Sequence, residues 1–553
     1  LMSIIIIAAF CMLISGIVGS YFLIKKHPRV SNNVKRTNLK WVLILFSVLS
    51  FAILLVLRLQ NLKLTVAIFF TYIVTFIAFS FCIGILILTY TPFMSSKKRI
   101  SVNDIYRPTF PLNFFDHFKS PERIPIGVSM MTQDIKYLSR KKQGMHSLAI
   151  GATGSGKTSL MKVRIKHAIT HNESLIIIDP KGHHKDILEV KEMMKKLDKD
   201  ESKFHLFSIV DPENSMSFNP IKYGTAIQKK DCVLSGLNLT HEYYGSQAAN
   251  FLSVLIPTIQ LLNQYSTKES DIIPITIHTI NAALSNKEFL DMVIKKVYLI
   301  PDTGLSQRLV LNLSSIKNIK EADLSGLKAQ INDLDNLEFG WLLSPHLVPE
   351  KRELDLYKVL KDGGIAYFQL SVNGYENSVS AIGKLLIQNL KSLSSQIQTG
   401  DLEPIKSGSV HIDEFGAFAQ SNFDKFLKIC RDLKLEIHNY KKGFAELARI
   451  NKEFEDQVAG NNVTTFIFRL NVAAEVEKLV SSAGTIDGVE QSYQVERGLF
   501  GSIRTGSGNQ RLTKQTMIDF DVIKNLKVWQ AVVIERSPLK TDLVQIVDPA
   551  LLV

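Results

Sequence analysis

The first hundred residues contain no acidic side chain, although the whole chain has 52 Asp and Glu. They carry 11 Lys and Arg and three apolar runs without a charged residue, at 3–24, 41–57 and 64–90. Each run is long enough, or nearly so, to cross the hydrocarbon core of a membrane as a helix. No Ala-x-Ala site follows the first run and its amino end has no basic residue, which argues against a cleaved signal peptide. We therefore predict a transmembrane anchor of three spans over residues 1–95.

The basic residues of this region predict how the anchor is oriented. Six Lys and Arg lie between the first and second runs and three follow the third, whereas only Arg58 and Lys63 separate the second from the third. Positively charged loops stay in the cytoplasm. The amino terminus is therefore expected outside, with the main domains in the cytoplasm.

Charge and cysteine are uninformative elsewhere in the chain. The net charge is +13, yet beyond residue 100 there are 54 basic and 52 acidic residues, so the overall basicity does not indicate a nucleic-acid-binding domain. The four cysteines are scattered and no pair has metal-ligand spacing. We expect neither a structural disulfide nor a zinc site.

One segment fits the phosphate-binding pattern Gly-x4-Gly-Lys-Thr at every fixed position: Gly151-Ala152-Thr153-Gly154-Ser155-Gly156-Lys157-Thr158. A buried strand is predicted before it, at 147–150, and a helix after it, at 159–169, which is the context that the motif requires. The glycines allow successive N–H groups to turn onto phosphate oxygens. Lys157 is expected to contact the β and γ phosphates and Thr158 to bind Mg²⁺, with Ser159 completing the nucleotide-binding segment. We predict that the chain binds ATP.

A second motif supplies the acidic half of such a site. The apolar stretch 410–412 ends in Asp413 and Glu414. Asp413 is predicted beside the magnesium shell, and Glu414 is predicted to take a proton from water. Joined to the phosphate loop, the pair predicts an ATP hydrolase.

The remaining pattern predicts an α/β fold. Buried strands with the hydrophobicity of a parallel sheet are predicted at 174–179, 364–370, 464–468 and 528–534, alternating with helices such as 378–398. From 229 to 343 the alternation stops and amphipathic helices follow one another, for example 247–262 and 286–299. We predict a nucleotide-binding domain in two parts, 96–228 and 344–553, with an all-α domain inserted at 229–343.

At this point the chain resembles the type IV coupling proteins, the TraD/TraG-type membrane ATPases of conjugation and type IV secretion. The order and spacing of several segments carry the resemblance: the apolar runs, His146–Thr158, Asp179-Pro-Lys-Gly182, Ser217-Phe-Asn-Pro-Ile221, Ile412–Phe415 and Asn461–Arg469. It implies a RecA-like motor domain at the bacterial inner membrane, assembled as a homo-hexamer. Such a ring passes a relaxase–DNA complex or effector proteins to the components of a secretion channel.

The resemblance also implies roles for two further residues. Arg431 matches the family arginine that reaches a neighbouring subunit's nucleotide, a task that suits a guanidinium because it is always charged. A solvated arginine on a helix is the alternative. Lys442 stands where the family usually has a glutamine that senses the γ phosphate or orients water. A lysine cannot accept a hydrogen bond, which argues against water positioning by this side chain. A contact with phosphate and slow turnover are the alternatives.

Four alternatives stay open beside DNA transfer. The cargo of the same machine could be effector proteins, or the chain could be a DNA translocase of the FtsK type, although no winged-helix module is recognisable after residue 540. A non-catalytic scaffold that binds nucleotide to hold its ring together is the third. A cassette transporter is the weakest, because Leu-Ser-Gly-Gly is absent.

Overall fold

The computed structural model describes residues 99–139, 146–237, 239, 241–417, 423–443, 462–498, 501–536 and 538–552. The three predicted spans, at 3–24, 41–57 and 64–90, lie outside these ranges. Within them, no helix is both long and apolar enough to cross a membrane. Residues Arg99–Val553 form one compact unit.

The described part of the chain contains thirteen strands. In chain order they are β1 Arg123–Ser129, β2 Ile135–Ser139, β3 Ser147–Ile150, β4 Ser174–Asp179, β5 Phe204–Ser208, β6 Ile365–Gln369, β7 Gly408–Ile412, β8 Leu435–Lys441, β9 Thr464–Ile467, β10 Thr485–Gly498, β11 Gly501–Thr516, β12 Gln530–Arg536 and β13 Leu539–Ile546. Eleven of them form one sheet in the order β2-β1-β13-β12-β9-β3-β8-β7-β4-β6-β5. β10 and β11 pair antiparallel as a separate two-stranded ribbon.

Thirteen α-helices accompany these strands in the same residues. They are α1 Lys157–Thr170, α2 His184–Lys196, α3 Ala226–Gly236, α4 Glu242–Tyr265, α5 Ile277–Ser285, α6 Lys287–Val297, α7 Thr303–Lys317, α8 Ser325–Asp335, α9 Leu356–Asp362, α10 Val372–Thr399, α11 Phe423–Asp432, α12 Ala473–Ser482 and α13 Phe520–Asn525. Helices α3 to α9 follow one another between β5 and β6 without an intervening strand. The domain boundaries at 229 and 343 remain a proposal.

The seven strands from β9 to β5 run parallel. The five inner strands, β3, β8, β7, β4 and β6, are buried throughout. Side chains alternate between the two faces of a strand. Leu175 and Ile177 of β4 therefore join the cluster that contains α1 and α2, whereas Ile176 and Ile178 join the cluster on the α10 side. Burial on both faces explains why these strands read as continuous apolar runs in the sequence.

The mostly parallel sheet predicted from the sequence is extended by four antiparallel strands. β12 pairs antiparallel with β9, and β13, β1 and β2 continue from it in the same way. The predicted strand 528–534 instead begins at Gln530, because Trp529 has a positive φ of 65° and cannot be part of an extended strand. The start of β12 therefore lies at the carboxyl edge of β9.

Candidate nucleotide-binding site

The segment Gly151–Thr158 connects the carboxyl end of β3 to the first turn of α1. Gly154 and Gly156 have φ values of 73° and 120°, which only glycine adopts without strain. A Cβ on Gly156 would lie 2.9 Å from the Cα of Trp529, and one on Gly151 would lie 2.5 Å from the Cβ of Phe468. The backbone thus turns tightly against two neighbours and directs the amino end of α1, with its free N–H groups, into the site.

Lys157 is folded back onto this loop. Its Nζ donates hydrogen bonds to the carbonyl oxygens of Gly151, at 2.6 Å, and Ala152, at 3.1 Å. Burial lowers the pKa of Lys157 to about 8, while the charges of Asp413 and Glu414 raise it and those of Lys181 and Lys442 lower it. The nearby carboxylates therefore offset only part of the unfavourable effect of burial and of the two lysines on the Lys157 ammonium group, as expected for a side chain that binds an anion.

The predicted acidic pair lies at the same edge of the sheet. Asp413 directly follows β7, is 4% exposed, and its N–H donates to the carbonyl oxygen of Ile178 in neighbouring β4. Glu414 has a positive φ of 44°, and its N–H donates to Asp413 Oδ1 at 3.0 Å. Left-handed backbone in a non-glycine residue is strained and occurs often at functional sites. Here it ends β7 with the two carboxylates side by side.

Two lysines contact these carboxylates. Lys181 Nζ lies 2.6 Å from Asp413 Oδ2 and 3.8 Å from Glu414 Oε1. Lys442, the first residue after β8, places its Nζ 3.1 Å from Glu414 Oε1. Sequence reasoning singled out Lys442 by its place in the motif order, whereas it treated Lys181 only as part of Asp179-Pro-Lys-Gly182. The four charges form a network close enough to Lys157 to affect its pKa.

Asp179, at the end of β4, is a further buried carboxylate that the sequence reasoning did not assign. It accepts hydrogen bonds from the Lys181 N–H at 2.9 Å and the Tyr367 hydroxyl at 3.1 Å. Burial raises the pKa of Asp179 to about 6, and the nearby negative charge of Asp413 also raises it. The hydrogen bond from the Lys181 N–H lowers the pKa but does not outweigh burial. The sequence does contain a signal for Asp179, since it is a carboxylate at the end of a buried parallel strand. The carboxyl ends of parallel strands meet at one edge of the sheet.

The predicted magnesium ligands are compatible with that ion. Mg²⁺ prefers oxygen ligands and usually keeps several waters beside one or two carboxylates and substrate phosphates. Asp413 offers a buried carboxylate and Thr158 a hydroxyl at the head of α1. Among the described residues no group of three or more His, Cys, Asp or Glu is arranged to hold a metal. An ion here would depend on the nucleotide for further ligands.

Arg431 does not join these residues. It is exposed in the last turn of α11, which precedes β8, and so lies at the amino edge of the sheet. Arg431 lies near His146, the residue before β3, and affects its pKa. Burial lowers the pKa of His146 to about 4, and the positive charge of Arg431 lowers it further, whereas a hydrogen bond with the Leu427 carbonyl oxygen raises it. The length of β3 separates this edge from the phosphate loop of the same chain.

A phosphate loop after a buried parallel strand, with acidic residues at the carboxyl end of a nearby one, defines the class of P-loop nucleotide-binding proteins. The family model described as the central domain of the helicase HerA matches residues 124–337. No curated protein matches the sequence significantly.

Solved structures of a bacterial conjugative coupling protein have a similar fold. Its unbound form, TrwBdeltaN70, has a TM-score of 0.53 at 13% identity, over 78% of this chain and 91% of that one. TrwB with the GTP analogue GDPNP has a TM-score of 0.50 at 13% identity, over 82% and 95%. TrwB with ADP and Mg²⁺ has a TM-score of 0.50 at 12% identity, over 79% and 92%. The mixed α/β core therefore resembles that of TrwB, and the resemblance to the type IV coupling proteins is confirmed at the level of the fold.

The pKa of Lys157 predicts a pH dependence of nucleotide binding. Phosphates bind the protonated ammonium, so affinity for ATP should fall by up to about tenfold per pH unit above pH 8. The folded-state pKa of Lys157 lies below its ordinary value of 10.5, so loss of the Lys157 proton in the folded state stabilises the free protein as the pH rises from about 8 towards 10.5, and this titration would not unfold it. Calorimetric titration with ATP at pH 8.5, in buffers of different ionisation enthalpy, should show proton uptake. Binding without proton uptake would contradict this assignment.

The ion pair between Lys442 and Glu414 predicts the effect of one substitution. In its predicted role Glu414 accepts a proton from water, and the half-exposed ion pair with Lys442, of about 1 kcal/mol, occupies the Glu414 Oε1 that the water would contact. Lys442→Gln should therefore raise kcat for ATP hydrolysis by about two- to fivefold. Lys185→Gln, at an exposed position of α2, is the matched control. A fall in kcat would mean that Lys442 itself contacts the phosphates.

Proposed function

We propose that this protein is an ATP hydrolase that drives transfer of DNA, carried with its relaxase, through a type IV secretion channel. The observation that carries the proposal is the meeting of the phosphate loop with Asp413 and Glu414 at one edge of a parallel sheet. The likeness to TrwB, described as a conjugative coupling protein and solved with nucleotide analogues, supports the choice of machine.

In this proposal each part of the edge has one task. The N–H groups of the loop and of the first turn of α1 bind phosphate oxygens, and Lys157 exchanges its two carbonyl acceptors for the β and γ phosphates. Thr158 and Asp413 would hold Mg²⁺, which when bound neutralises phosphate charge. Glu414 accepts the proton of the attacking water, so its contact with Lys442 has to loosen first.

Arg431 supports a ring of subunits. Because it lies at the amino edge of its own sheet, it can reach only the nucleotide of a second copy. A guanidinium supplied across a subunit interface stabilises the charge that develops during phosphoryl transfer. A homo-hexamer, as the resemblance implies, would place each arginine at its neighbour's site.

The surroundings of this ring are also part of the proposal. The apolar runs before residue 96 would anchor it in the bacterial inner membrane, with the ATPase in the cytoplasm. Components of the secretion channel are then its partners on the membrane side. Effector proteins are the alternative cargo, since the part after residue 100 is nearly neutral.

ATP hydrolysis by the full-length protein, with and without single-stranded DNA, tests the proposal. Turnover that DNA stimulates would support a DNA pump. An equal rate of ATP hydrolysis with and without DNA would contradict DNA as the cargo and favour effector proteins. A complete lack of turnover would contradict the hydrolase, and the Lys442–Glu414 ion pair would then favour a nucleotide-binding scaffold.

A further inference from the structure

Trp529 lies beside the phosphate loop although it is 371 residues further along the chain than Thr158. It directly precedes β12, which runs antiparallel to β9, so it stands at the carboxyl edge from which the loop leaves β3. Its N–H donates to the carbonyl oxygen of Ser155 at 2.9 Å. Its indole Cδ1 would lie 3.1 Å from a Cβ placed on Gly156. The indole therefore flanks the loop just before α1.

The backbone of Trp529 is strained and firmly held. A φ of 65° is an outlier for a bulky residue, and glycine or asparagine would adopt it at lower cost. The Trp529 carbonyl oxygen accepts hydrogen bonds from the Ile546 N–H at 2.7 Å and the Gln545 side chain at 3.4 Å. Together with the bond to Ser155, these contacts hold the residue on both sides. A large aromatic side chain at a strained position next to a ligand loop indicates a function for the ring.

The indole is also available to a ligand. It packs on the apolar cluster under α1 but remains partly exposed. Phe468 also touches the loop, at Gly151, but it is fully buried and cannot meet a ligand. Trp529 thus offers an aromatic surface at the rim of the loop.

We propose that Trp529 is the wall on which the base of the bound nucleotide stacks. The inference rests on the proposed function, because it assumes a nucleoside triphosphate with its phosphates in Gly151–Thr158. The loop N–H groups recognise phosphates only, so selection of a nucleotide over a bare polyphosphate needs a surface for the base. Aromatic side chains provide such a surface for any base, through its π face.

The test compares ATP with inorganic tripolyphosphate, which has the phosphates but no base. In the full-length protein, Trp529→Leu should weaken ATP binding by roughly tenfold and leave tripolyphosphate binding unchanged. Trp529→Phe, which keeps a ring, should retain most of the affinity for ATP. Trp341→Phe is the control, because Trp341 lies between α8 and α9 and donates its indole N–H to the Glu338 carbonyl oxygen.

Two results would overturn the inference while the proposed function stands. One is equal ATP affinity in Trp529→Leu and the wild type. The other is an equal loss for ATP and tripolyphosphate, which would mean that Trp529 only shapes the loop. A wild-type protein that does not bind ATP would overturn both proposals.

Fluorescence gives an independent readout that needs no change at Trp529. The chain has three tryptophans, so Trp41→Phe with Trp341→Phe leaves Trp529 as the sole tryptophan, whose emission is excited apart from that of the tyrosines. ATP should change its emission and tripolyphosphate should not, since only ATP brings a base to the indole. An equal response to both ligands would contradict stacking.

Discussion

Lys157→Ala is expected to lower ATP turnover by about a thousandfold and to abolish measurable ATP binding. The ammonium group is the only side-chain cation that the sequence motif directs to the β and γ phosphates. Two charge-assisted hydrogen bonds of about 2 kcal/mol each are lost with it, which corresponds to about three orders of magnitude in rate. Because Nζ donates to the Gly151 and Ala152 carbonyl oxygens in the free protein, the substitution also frees these acceptors.

A matched control separates this effect from unspecific loss of a basic residue. Lys185→Ala removes an 85% exposed lysine on α2, whose Nζ is 3.8 Å from Glu189, and should leave turnover unchanged. Thermal unfolding of both variants checks that the loop still folds. Wild-type turnover in Lys157→Ala would refute the nucleotide site itself, and with it the motor.

Glu414→Gln is expected to lower turnover by 10²–10⁴-fold while ATP still binds, because a glutamine cannot take the proton of the attacking water. The amide has nearly the same size, and the backbone bond from Glu414 N–H to Asp413 Oδ1 does not depend on the side chain. Binding and chemistry are therefore expected to separate in this variant.

Single-turnover hydrolysis, together with the Kd for ATP, measures that separation. Glu192→Gln is the control, since Glu192 is half-exposed on α2 and pairs only with Lys196 at its i+4 position among the ion pairs of the described residues. If Glu414→Gln keeps its rate, the proton acceptor is another group, and Asp179, a further buried carboxylate at this edge of the sheet, is then the one to test. If the Glu414→Gln variant also loses ATP binding, Glu414 instead stabilises the fold at the carboxyl edge of the sheet.

Local patterns in the sequence were sufficient for the phosphate loop and for the central strands. The spacing of the glycines before Lys157 fixes the backbone conformation of the eight-residue loop. Strands that are buried on both faces have to be apolar throughout. The pair Asp413–Glu414 was recognisable for the same reason, since it directly follows such a strand. The roles assigned to these residues remain predictions, whereas the places they occupy follow from short-range chemistry.

Long-range contacts decided the rest. Lys181 meets Asp413 across 232 positions of the chain, and no local pattern links two residues that far apart. The antiparallel strands β1, β2 and β13 were not predicted, and the start of β12 moved because Trp529 has a left-handed backbone supported by the loop and β13. Arg431 likewise lies at the opposite edge only because β8 is parallel to β3.

The sequence by itself thus determined that the chain has a phosphate loop, a following helix and an acidic strand end. Only the tertiary structure decided which charges meet there, because strand order in a sheet sets the neighbours of each carboxyl edge. The ion pairs of Lys181 and Lys442 and the position of Trp529 against Gly156 all depend on that order. They arise from the packing of distant segments, which no spacing within the sequence encodes.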